Sequence, residues 1–487
     1  MYVVDLFEFM KKLFSLVLML FCGLMLQVAF ALSVTIDNIT YVLHPETKTA
    51  SVGTFPQSIV EANILGTVEY EGVTYTTTTL YERMTTGCYN LKKVTIPGTI
   101  KKIDDFAFDG CSAETIIVSE GVEELGYASF GGCSNLKTIS LPSTLKTIGT
   151  SAFHDCKNLE TKITVPSTMT KIGERTFQNC AKLTSIEWAD AITVIGNSAF
   201  EGCKVLTEIG HTATIKSIGD KAFMDCSALE NFELNKDIEY IGAYAFADCE
   251  SLKSPMWLPE GATWVPTDVF CHCKSVPSFS IPSTVTQIGG GAFAGCQFET
   301  IELPDEITSI GHRAFSGCQN LKKINLGNSL EVIGQYAFHD CTGLTDVVLP
   351  STLTKIWDEA FAGCTGLKTV ICLATTPPDC TNAPFGVLPY LYTIWLVVPD
   401  GCKNSYVKDF WFDVFDHYSI NGDYHYVNRI IEMSDYIAGV DDIVVGGDGV
   451  SEVYNLNGVF VGNSVEGLPA GVYIVRRGDK VEKVLVQ

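Results

Sequence analysis

The sequence predicts a β-rich solenoid, in which the chain winds into about 13 coils of 22–24 residues each. Three regularities predict this fold. Thirteen cysteines follow one another at steps of 22 to 24 residues, from Cys88 to Cys364. A phenylalanine stands three residues before each of the last twelve, and a glycine stands seven residues before most of them. Recurrence at such a period is typical of stacked repeats, because one repeat cannot bury its apolar side chains alone.

The composition favours repeats over a multidomain enzyme. Only 18% of the 487 residues are charged, and 33 basic and 56 acidic residues give a formal net charge of -23. Because no basic run interrupts this acidic balance, we expect neither nucleic acid nor an anionic membrane surface as a partner. The sequence contains no Gly-x-Ser-x-Gly, His-Glu-x-x-His, phosphate-loop or dinucleotide-binding glycine pattern. It therefore predicts a protein that is not an enzyme and that has no cofactor.

The first element is a predicted signal peptide over residues 10–31. Lys11 and Lys12 precede an apolar run that extends to Leu26, and Ala29-Phe30-Ala31 provides small residues at the usual cleavage spacing. The Met-Lys-Lys opening favours translation from Met10 over Met1. An uncleaved membrane anchor is the alternative, because the run approaches the roughly 20 residues that a span needs. No second apolar run is long enough, so we expect no integral membrane span after cleavage.

The second element, residues 32–80, is a predicted N-terminal β cap. Two short strand patterns, beginning at Tyr41 and at Val68, surround a Glu-Gly turn at residues 71–72. A solenoid needs such a cap because its end coil would otherwise expose both its core and a strand edge.

The repeats are predicted over residues 81–375. One full unit runs from Leu136 to Cys156 and reads Leu-Lys-Thr-Ile-Ser-Leu-Pro-Ser-Thr-Leu-Lys-Thr-Ile-Gly-Thr-Ser-Ala-Phe-His-Asp-Cys. Pro142 ends a short strand, since proline has no N–H to donate. The side chains expected in the core are Leu136, Ile139, Leu141, Leu145, Ile148 and Phe153.

These units resemble the leucine-rich repeats of the BspA type, which are found in bacterial and protist proteins. The unit Ile333-Gly-Gln-Tyr-Ala-Phe-His-Asp-Cys341 keeps the spacing of that family, and the resemblance covers roughly residues 81–400. Pro266 and Trp357 replace the recurring glycine, so we expect those coils to bulge. The resemblance implies a right-handed leucine-rich-repeat superhelix and an adhesin-like role at a cell surface.

The recurring cysteines are expected to form a ladder of buried thiols, because each occupies the same coil position beside a core phenylalanine. Scattered disulfides between neighbouring coils stay an alternative, since their Cα atoms would lie within bridging distance. The states of Cys271, Cys372, Cys380 and Cys402 are open, and a Cys380–Cys402 bridge is one option. Cys271-His272-Cys273 is too small a cluster for a closed zinc site, which needs four ligands, so no metal site is expected.

Two further elements follow the repeats. Residues 376–435, with Tyr406, Trp411 and Phe415, resemble the closing cap of the same family. Residues 440–487 read as strand, turn, strand, turn, strand and predict a small β-sandwich-like module. Its Leu-Pro-Ala-Gly-Val-Tyr stretch and its Lys-Val tail resemble the C-terminal sorting domains of the type IX secretion system of Bacteroidetes. This resemblance implies the secretion machinery as a partner, whereas the alternative interpretation is another β cap.

Candidate ligand-facing residues lie on the predicted strands, whose second, third and fifth positions point away from the core. The residues are Lys92, Lys93, Lys137, Thr138, Ser140, Glu230, Asn231, Glu233, Glu299, Thr300, Glu302, Lys322, Lys323 and Asn325. Basic patches flank an acidic centre, which favours an extended protein ligand over a small molecule. An ordinary solvated face would also explain any single one of these residues.

The sequence thus predicts a secreted or outer-surface binding protein that recognises an extracellular protein or another cell-surface macromolecule. A carbohydrate-binding or nutrient-capture protein is the second hypothesis, for which Trp188 and Trp257 are the aromatic candidates in strand segments. Isolated aromatic residues more often pack in a core than bind sugar.

Overall fold

The computed structural model describes residues 32–188, 190–381, 383–386, 394–407, 411, 415, 417–420, 423–426, 429–438, 451–455, 460–462, 471–477 and 480–486. The predicted signal peptide lies outside these residues. The chain divides into two compact units, the first ending at Thr147 and the second beginning at Ile148. Both units are β-solenoid with little helix, and together they contain about 15 turns.

The strands of the first unit are short. They are β1 (Ser33–Ile36), β2 (Ile39–His44), β3 (Thr49–Val52), β4 (Glu61–Asn63), β5 (Thr67–Tyr70), β6 (Val73–Leu80), β7 (Lys93–Ile96), β8 (Lys102–Ile103), β9 (Thr115–Val118), β10 (Glu124–Leu125), β11 (Thr138–Ser140) and β12 (Thr147–Ile148), on which the unit boundary falls.

A five-stranded sheet of order β1-β2-β3-β6-β5 begins the first unit. Strands β5 and β6 form an antiparallel hairpin, and both turn residues, Glu71 and Gly72, have positive φ. Beside this sheet, β4, β7, β9 and β11 form one parallel ladder, and β8 pairs with β10 in a second. The parallel ladder therefore begins at β4, within the segment predicted as a cap.

The second unit continues the same alternation. Its strands are β13 (Ile163–Thr164), β14 (Lys171–Ile172), β15 (Ile186–Glu187), β16 (Val194–Ile195), β17 (Ser217–Ile218), β18 (Tyr240–Ile241), β19 (Met256–Trp257), β20 (Trp264–Val265), β21 (Phe279–Ser280), β22 (Gln287–Ile288), β23 (Thr300–Ile301), β24 (Ser309–Ile310), β25 (Lys323–Ile324), β26 (Val332–Ile333), β27 (Asp346–Leu349), β28 (Lys355–Ile356), β29 (Thr369–Cys372), β30 (Asp379–Cys380), β31 (Trp395–Val398), β32 (His417–Ile420), β33 (Asp423–Tyr426), β34 (Ile430–Glu432), β35 (Ser451–Asn455), β36 (Phe460–Gly462), β37 (Gly471–Arg477) and β38 (Lys480–Val486).

The turns contribute strands to two faces, which we name separately. The strand face carries the strands that follow the recurring leucine: the β4 ladder in the first unit, and in the second unit the groups β13-β15, β19-β21, β23-β25 and β27-β29-β31-β34. The second face carries the strands that precede the recurring glycine: β8 and β10, then β14-β16-β17-β18 and β20-β22-β24-β26-β28-β30. The pairings of β30 with β28 and of β31 with β29 extend the ladders beyond residue 375.

A third set of inter-turn bonds runs beside the recurring phenylalanine. Lys221 N–H donates to the Ala243 carbonyl at 2.8 Å, and Phe223 N–H donates to the Ala245 carbonyl at 2.9 Å. Two residues per turn adopt positive φ to allow this, the residue five before the cysteine and the one immediately before it. Gly, Asp, Asn or His fills the latter position in all thirteen turns, because these residues tolerate the left-handed conformation best.

The core is a column of stacked rings beside a column of thiols. Phe223 stacks on Phe200 at 5.3 Å and on Phe246 at 5.5 Å between ring centroids, and both contacts lie close to parallel. All thirteen recurring cysteines are buried, as their position beside the core phenylalanine predicts. Cys226 Sγ donates to the Phe200 carbonyl of the preceding turn at 3.1 Å. The thiol therefore satisfies a buried carbonyl as well as filling space.

The recurring glycines Gly219 and Gly334 allow a close approach of two backbones. A Cβ on Gly219 would lie 2.8 Å from the carbonyl carbon of Gly196, and one on Gly334 would lie 2.6 Å from that of Gly311. The same glycines donate N–H bonds to the preceding turn, as Gly219 does to the Ile195 carbonyl at 2.9 Å.

The two departures from the glycine pattern differ in their effect. Trp357 N–H still donates to the Ile333 carbonyl at 3.0 Å, and β28 pairs on both sides, so the ladder is continuous there. At Pro266 the second face is interrupted, since β18 and β20 belong to separate sheets. Proline has no N–H with which to repeat the glycine bond, which explains the interruption.

Within the part of the chain that the structure describes, the short helix Lys403–Tyr406 lies in the segment predicted as the C-terminal cap, and the helix Met433–Ala438 begins in that segment and extends past residue 435. Tyr406, Trp411 and Phe415 are buried there. Strands β35 to β38 form one antiparallel sheet of order β36-β35-β37-β38, and its packing as a sandwich stays a prediction. Among the described residues, no helix has the length and apolar character needed to span a membrane.

Candidate binding surface

In the first unit, the predicted residues Lys92, Lys93, Lys137, Thr138 and Ser140 are exposed along the strand face, on or beside β7 and β11. The structure brings two of them onto a third residue that the sequence reasoning missed. Lys92 Nζ lies 2.7 Å from Glu114 Oε1, and Lys137 Nζ lies 2.8 Å from Glu114 Oε2. The two hydrogen-bonded ammonium groups, that of Lys137 first, lower the pKa of Glu114 to about 2. The basic patch is therefore partly neutralised by its own carboxylate.

A signal for Glu114 is present in the sequence. It lies 22 residues after Lys92 and 23 residues before Lys137, which is one coil length in each direction. Opposite charges at one coil spacing should be read as cross-strand pairs, because the same position of adjacent turns is brought side by side.

In the second unit, the predicted residues around β23 and β25 also lie on the strand face. Glu299, Thr300, Glu302 and Lys322 are exposed, while Lys323 and Asn325 are half-buried. Lys322 Nζ pairs with Glu299 Oε2 at 2.7 Å. The Asn325 side chain accepts the Gly327 N–H at 3.2 Å, so its carboxamide oxygen shapes a turn.

The strand predicted through Glu230, Asn231 and Glu233 is not formed, and this corrects the sequence interpretation. The three side chains are exposed, but the segment has no regular strand. The facing turn carries Pro255, which has no N–H, and the Phe232 N–H donates instead to Ser254 Oγ at 3.0 Å. Glu230 pairs with Lys253 at 3.0 Å, so the acidic centre also contains a cross-turn ion pair.

Trp395 is a residue of the strand face that the sequence reasoning left unassigned. It begins β31, pairs in register with Thr369 of β29, and is 44% exposed. Tryptophan is enriched among the residues that dominate binding energy at protein interfaces. An outward tryptophan at a strand position that otherwise carries charged or small residues is the signal that could have identified it.

In the structure, Cys273 and His272 of the Cys271-His272-Cys273 cluster contact different partners. Cys273 Sγ donates to the Phe246 carbonyl at 3.1 Å, and His272 Nδ1 lies 2.8 Å from Asp248 Oδ1. Across the part of the chain that the structure describes, no group of three or more His, Cys, Asp or Glu side chains is arranged to hold a metal ion.

The remaining cysteines lie at the C-terminal end of the ladders. The Tyr406 hydroxyl lies 3.2 Å from Cys372 Sγ and donates to the Ala374 carbonyl at 2.6 Å. Cys380 and Cys402 are both half-buried, and each thiol faces a carbonyl two residues before it. The bridge between them stays a prediction.

Comparison with known proteins agrees with this geometry. The family described as "BspA type Leucine rich repeat region" matches residues 72–182, 146–276 and 263–377, in six copies. A search of curated proteins gave no match. A leucine-rich repeat protein from Bacteroides ovatus is 27% identical over 75% of this chain and 94% of its own, with a TM-score of 0.61. A leucine-rich cell surface protein from Faecalibacterium prausnitzii is 22% identical over 70% and 94%, with a TM-score of 0.48.

Proposed function

We propose, from the premise that this chain belongs to the BspA-type leucine-rich-repeat family, that it is exported and binds an extracellular protein or cell-surface macromolecule through its strand face. Repeat proteins of this kind are typically non-enzymatic. The export step rests on the signal-peptide pattern of residues 10–31 and on the surface setting that the family suggests.

The observation that carries the proposal is the combination on the strand face of exposed Trp395 with charged side chains. A half-exposed indole leaves apolar area in water that a partner would bury. Ion pairs such as Lys322–Glu299 are solvent-exposed and therefore add little to stability. They can re-pair with a partner's charges at small cost, which gives orientation and selectivity.

The carbohydrate hypothesis receives no support from the tryptophans that suggested it. Trp188 is only 5% exposed, and its Nε1–H donates to the His211 carbonyl at 2.8 Å. Trp257 is half-buried within β19. We therefore retain protein binding as the function of the strand face.

The test is binding of the chain from residue 32 onwards to an array of extracellular-matrix and bacterial surface proteins. Two strand-face variants are compared with the unaltered chain, Trp395→Ala and the charge reversal of Glu230, Glu233, Glu299 and Glu302 to lysine. Trp357→Ala is the matched control, because Trp357 is 41% exposed and follows β28 on the second face. Binding that both strand-face variants lose and the control keeps is expected. Equal loss in the control, or no protein ligand at all, would reject the proposal.

We further propose that residues 440–487 direct the chain across an outer membrane by the type IX system. In a Bacteroidetes host, deletion of these residues is expected to leave the protein in the periplasm, while the full chain reaches the surface. Surface exposure of the truncated protein at the level of the full chain would contradict this role.

A further inference from the structure

The second face carries a pair of exposed aromatic rings that the strand-face proposal does not use. Tyr240 in β18 and Trp264 in β20 are each 49% exposed. Both occupy the position directly before the inward aliphatic residue of their turns, Ile241 and Val265, which are buried. In the other paired strands of this face in the second unit, the same position carries Lys171, Val194, Ser217, Gln287, Ser309, Val332, Lys355 and Asp379. The aromatic residues therefore coincide on two consecutive turns only here.

The pair lies at the interruption caused by Pro266. Strands β18 and β20 belong to separate sheets, although the turns remain joined by the bond from Tyr244 N–H to the Thr267 carbonyl at 2.9 Å. The ring column is wide on both sides of Phe270, with centroid distances of 6.0 Å to Phe246 and 6.1 Å to Phe293, against 5.5 Å between Phe223 and Phe246. The two exposed rings thus lie on the two strands that flank this interruption of the second face.

Hydrogen-bonding groups surround the rings. The Tyr240 hydroxyl donates to Asp220 Oδ1 at 3.2 Å, which fixes the position of the phenol ring. Ser217 pairs in register with Tyr240, and exposed Gln287 pairs in register with Trp264. Each aromatic face is therefore flanked by a polar side chain that can donate and accept.

We propose that Tyr240 and Trp264 form a stacking platform for a neutral oligosaccharide. A sugar ring presents an apolar C–H face and a rim of hydroxyls, and an aromatic ring bordered by hydroxyl, amide and carboxylate groups complements both.

The charge around the two rings favours neutral over acidic carbohydrates. Asp220 carries a carboxylate at the tyrosine hydroxyl, and the ammonium of Lys216 is paired with Glu239 at 3.1 Å. An acidic polysaccharide would meet like charge here and in the chain as a whole, whose net charge is -23. The ligand class is therefore a neutral oligosaccharide rather than a uronate-containing or sulfated glycan.

The test uses the chain from residue 32 onwards with soluble neutral glycans, namely β-1,4-glucan and α-1,4-glucan oligosaccharides and mannan fragments, and with polygalacturonate and heparin for comparison. Binding is followed by calorimetry and by the tryptophan emission, which should shift because Trp264 is half-exposed. Trp264→Ala and Tyr240→Ala should each weaken binding about tenfold. Trp357→Ala and Trp395→Ala, which remove other exposed tryptophans, should leave it unchanged.

Each of these glycan-binding results overturns the proposal: no binding of any neutral glycan, tighter binding of polygalacturonate or heparin, equal loss in the Trp395→Ala control, or binding that survives both platform substitutions. Unchanged circular dichroism of the platform variants shows that they fold. A protein ligand from the array that depends on Trp264 and not on Trp395 would also overturn it, and would assign the second face to a protein partner instead.

Discussion

The recurring glycine shows how a single residue sets the spacing of two turns. A Cβ on Gly219 would lie 2.6 Å from the Asn197 amide nitrogen and 2.8 Å from the Gly196 carbonyl carbon. These atoms belong to backbone, which cannot rotate away as a flexible side chain would. A larger residue at Gly219 must therefore separate these two turns.

We predict that Gly219→Ala lowers the stability of the second unit by about 1–3 kcal/mol, the usual cost of overpacking. Gly261→Ala is the control, because a Cβ there meets nothing within 4 Å and Gly261 does not have positive φ. It should be neutral or slightly stabilising, since alanine restricts the unfolded chain. Thermal unfolding followed by circular dichroism separates the two, and equal midpoints for both variants would contradict the close approach.

The recurring thiols should be unreactive in the folded protein. Burial raises the pKa of Cys203 to about 12, so almost none of it is thiolate at pH 8, and thiolate is the reactive form. We expect iodoacetamide at pH 8 to alkylate Cys402, which is half-buried, and to spare Cys203 until the protein is unfolded. Peptide mass spectrometry gives both rates, and comparable labelling of the two in native protein would rule out the buried ladder.

Glu114 gives a pH prediction whose direction follows from its two lysines. Its folded-state pKa of about 2 lies below the ordinary value of 4.5, so the pairing stabilises the fold above the ordinary value and is lost as the pH falls through about 2. In Lys137→Gln, the pKa of Glu114 should rise toward 4.5. Lys93→Gln removes a neighbouring lysine as the control. A carboxyl-carbon NMR titration that finds the same pKa in both variants would disprove the pairing.

At the residue scale, the sequence predicted burial correctly at the repeated positions. It did not predict which side chains contact each other between adjacent turns. The burial of Cys226 and Phe223 follows from their periodic position alone. The double pairing of Glu114 and the outward Trp395 do not, because each depends on which residue an adjacent turn places beside it.

At the scale of elements, proline explains two of the places where a ladder stops. Pro266 interrupts the second face and Pro255 accompanies the missing strand at residues 230–234, in both cases because an N–H is missing where the facing turn offers a carbonyl. The sequence analysis expected distortion at Pro266 and Trp357 alike. Trp357 retains its N–H and therefore its bond, which is why only the proline breaks the ladder.

We predict that Pro266→Gly restores the ladder between β18 and β20. The new amide should exchange with solvent as slowly as that of Gly242, which donates to the Ile218 carbonyl at 2.9 Å. Net stability should change little, because one hydrogen bond, about 1 kcal/mol, offsets the greater freedom of glycine in the unfolded chain. Pro282→Gly, in the next turn, is the comparison. Fast exchange at position 266 would mean that proline is not the cause of the break.

The ends of the ladders were the elements least accessible from sequence. The parallel pairings of β4 with β7 and of β31 with β34 lie in segments without the cysteine–phenylalanine signature. These strands lack the repeat pattern and are identified only by their pairing with neighbouring strands. The cap boundaries predicted from the periodicity therefore fall inside the ladder.

At the scale of the whole molecule, stability is local, because each turn bonds and packs only with its neighbours. Phe223→Ala removes a ring stacked on both sides and should cost about 3–5 kcal/mol. Hydrogen exchange should quicken in the turns of Phe200 and Phe246 and stay unchanged in β7 and β9 of the first unit. Uniform acceleration throughout both units would instead indicate global cooperativity.

The global fold was the most predictable level, since thirteen equivalent turns repeat the same residue pattern. A wrong prediction for one turn therefore does not change the predicted architecture. Ligand identity is the least predictable property, because the repeat does not fix the residue type at the outward positions of the strands.

The inter-turn bonds have a mechanical consequence within each unit. The strand bonds and the Phe223-type bonds connect consecutive turns one after another, so a pull on one end of the unit acts on a single turn at a time. The terminal turn should unfold first, followed by the next. Each turn should release the chain length of one coil at a similar force. A protein attached to a surface and bound to a partner would then extend in small steps under a sudden force, while the complex stays bound.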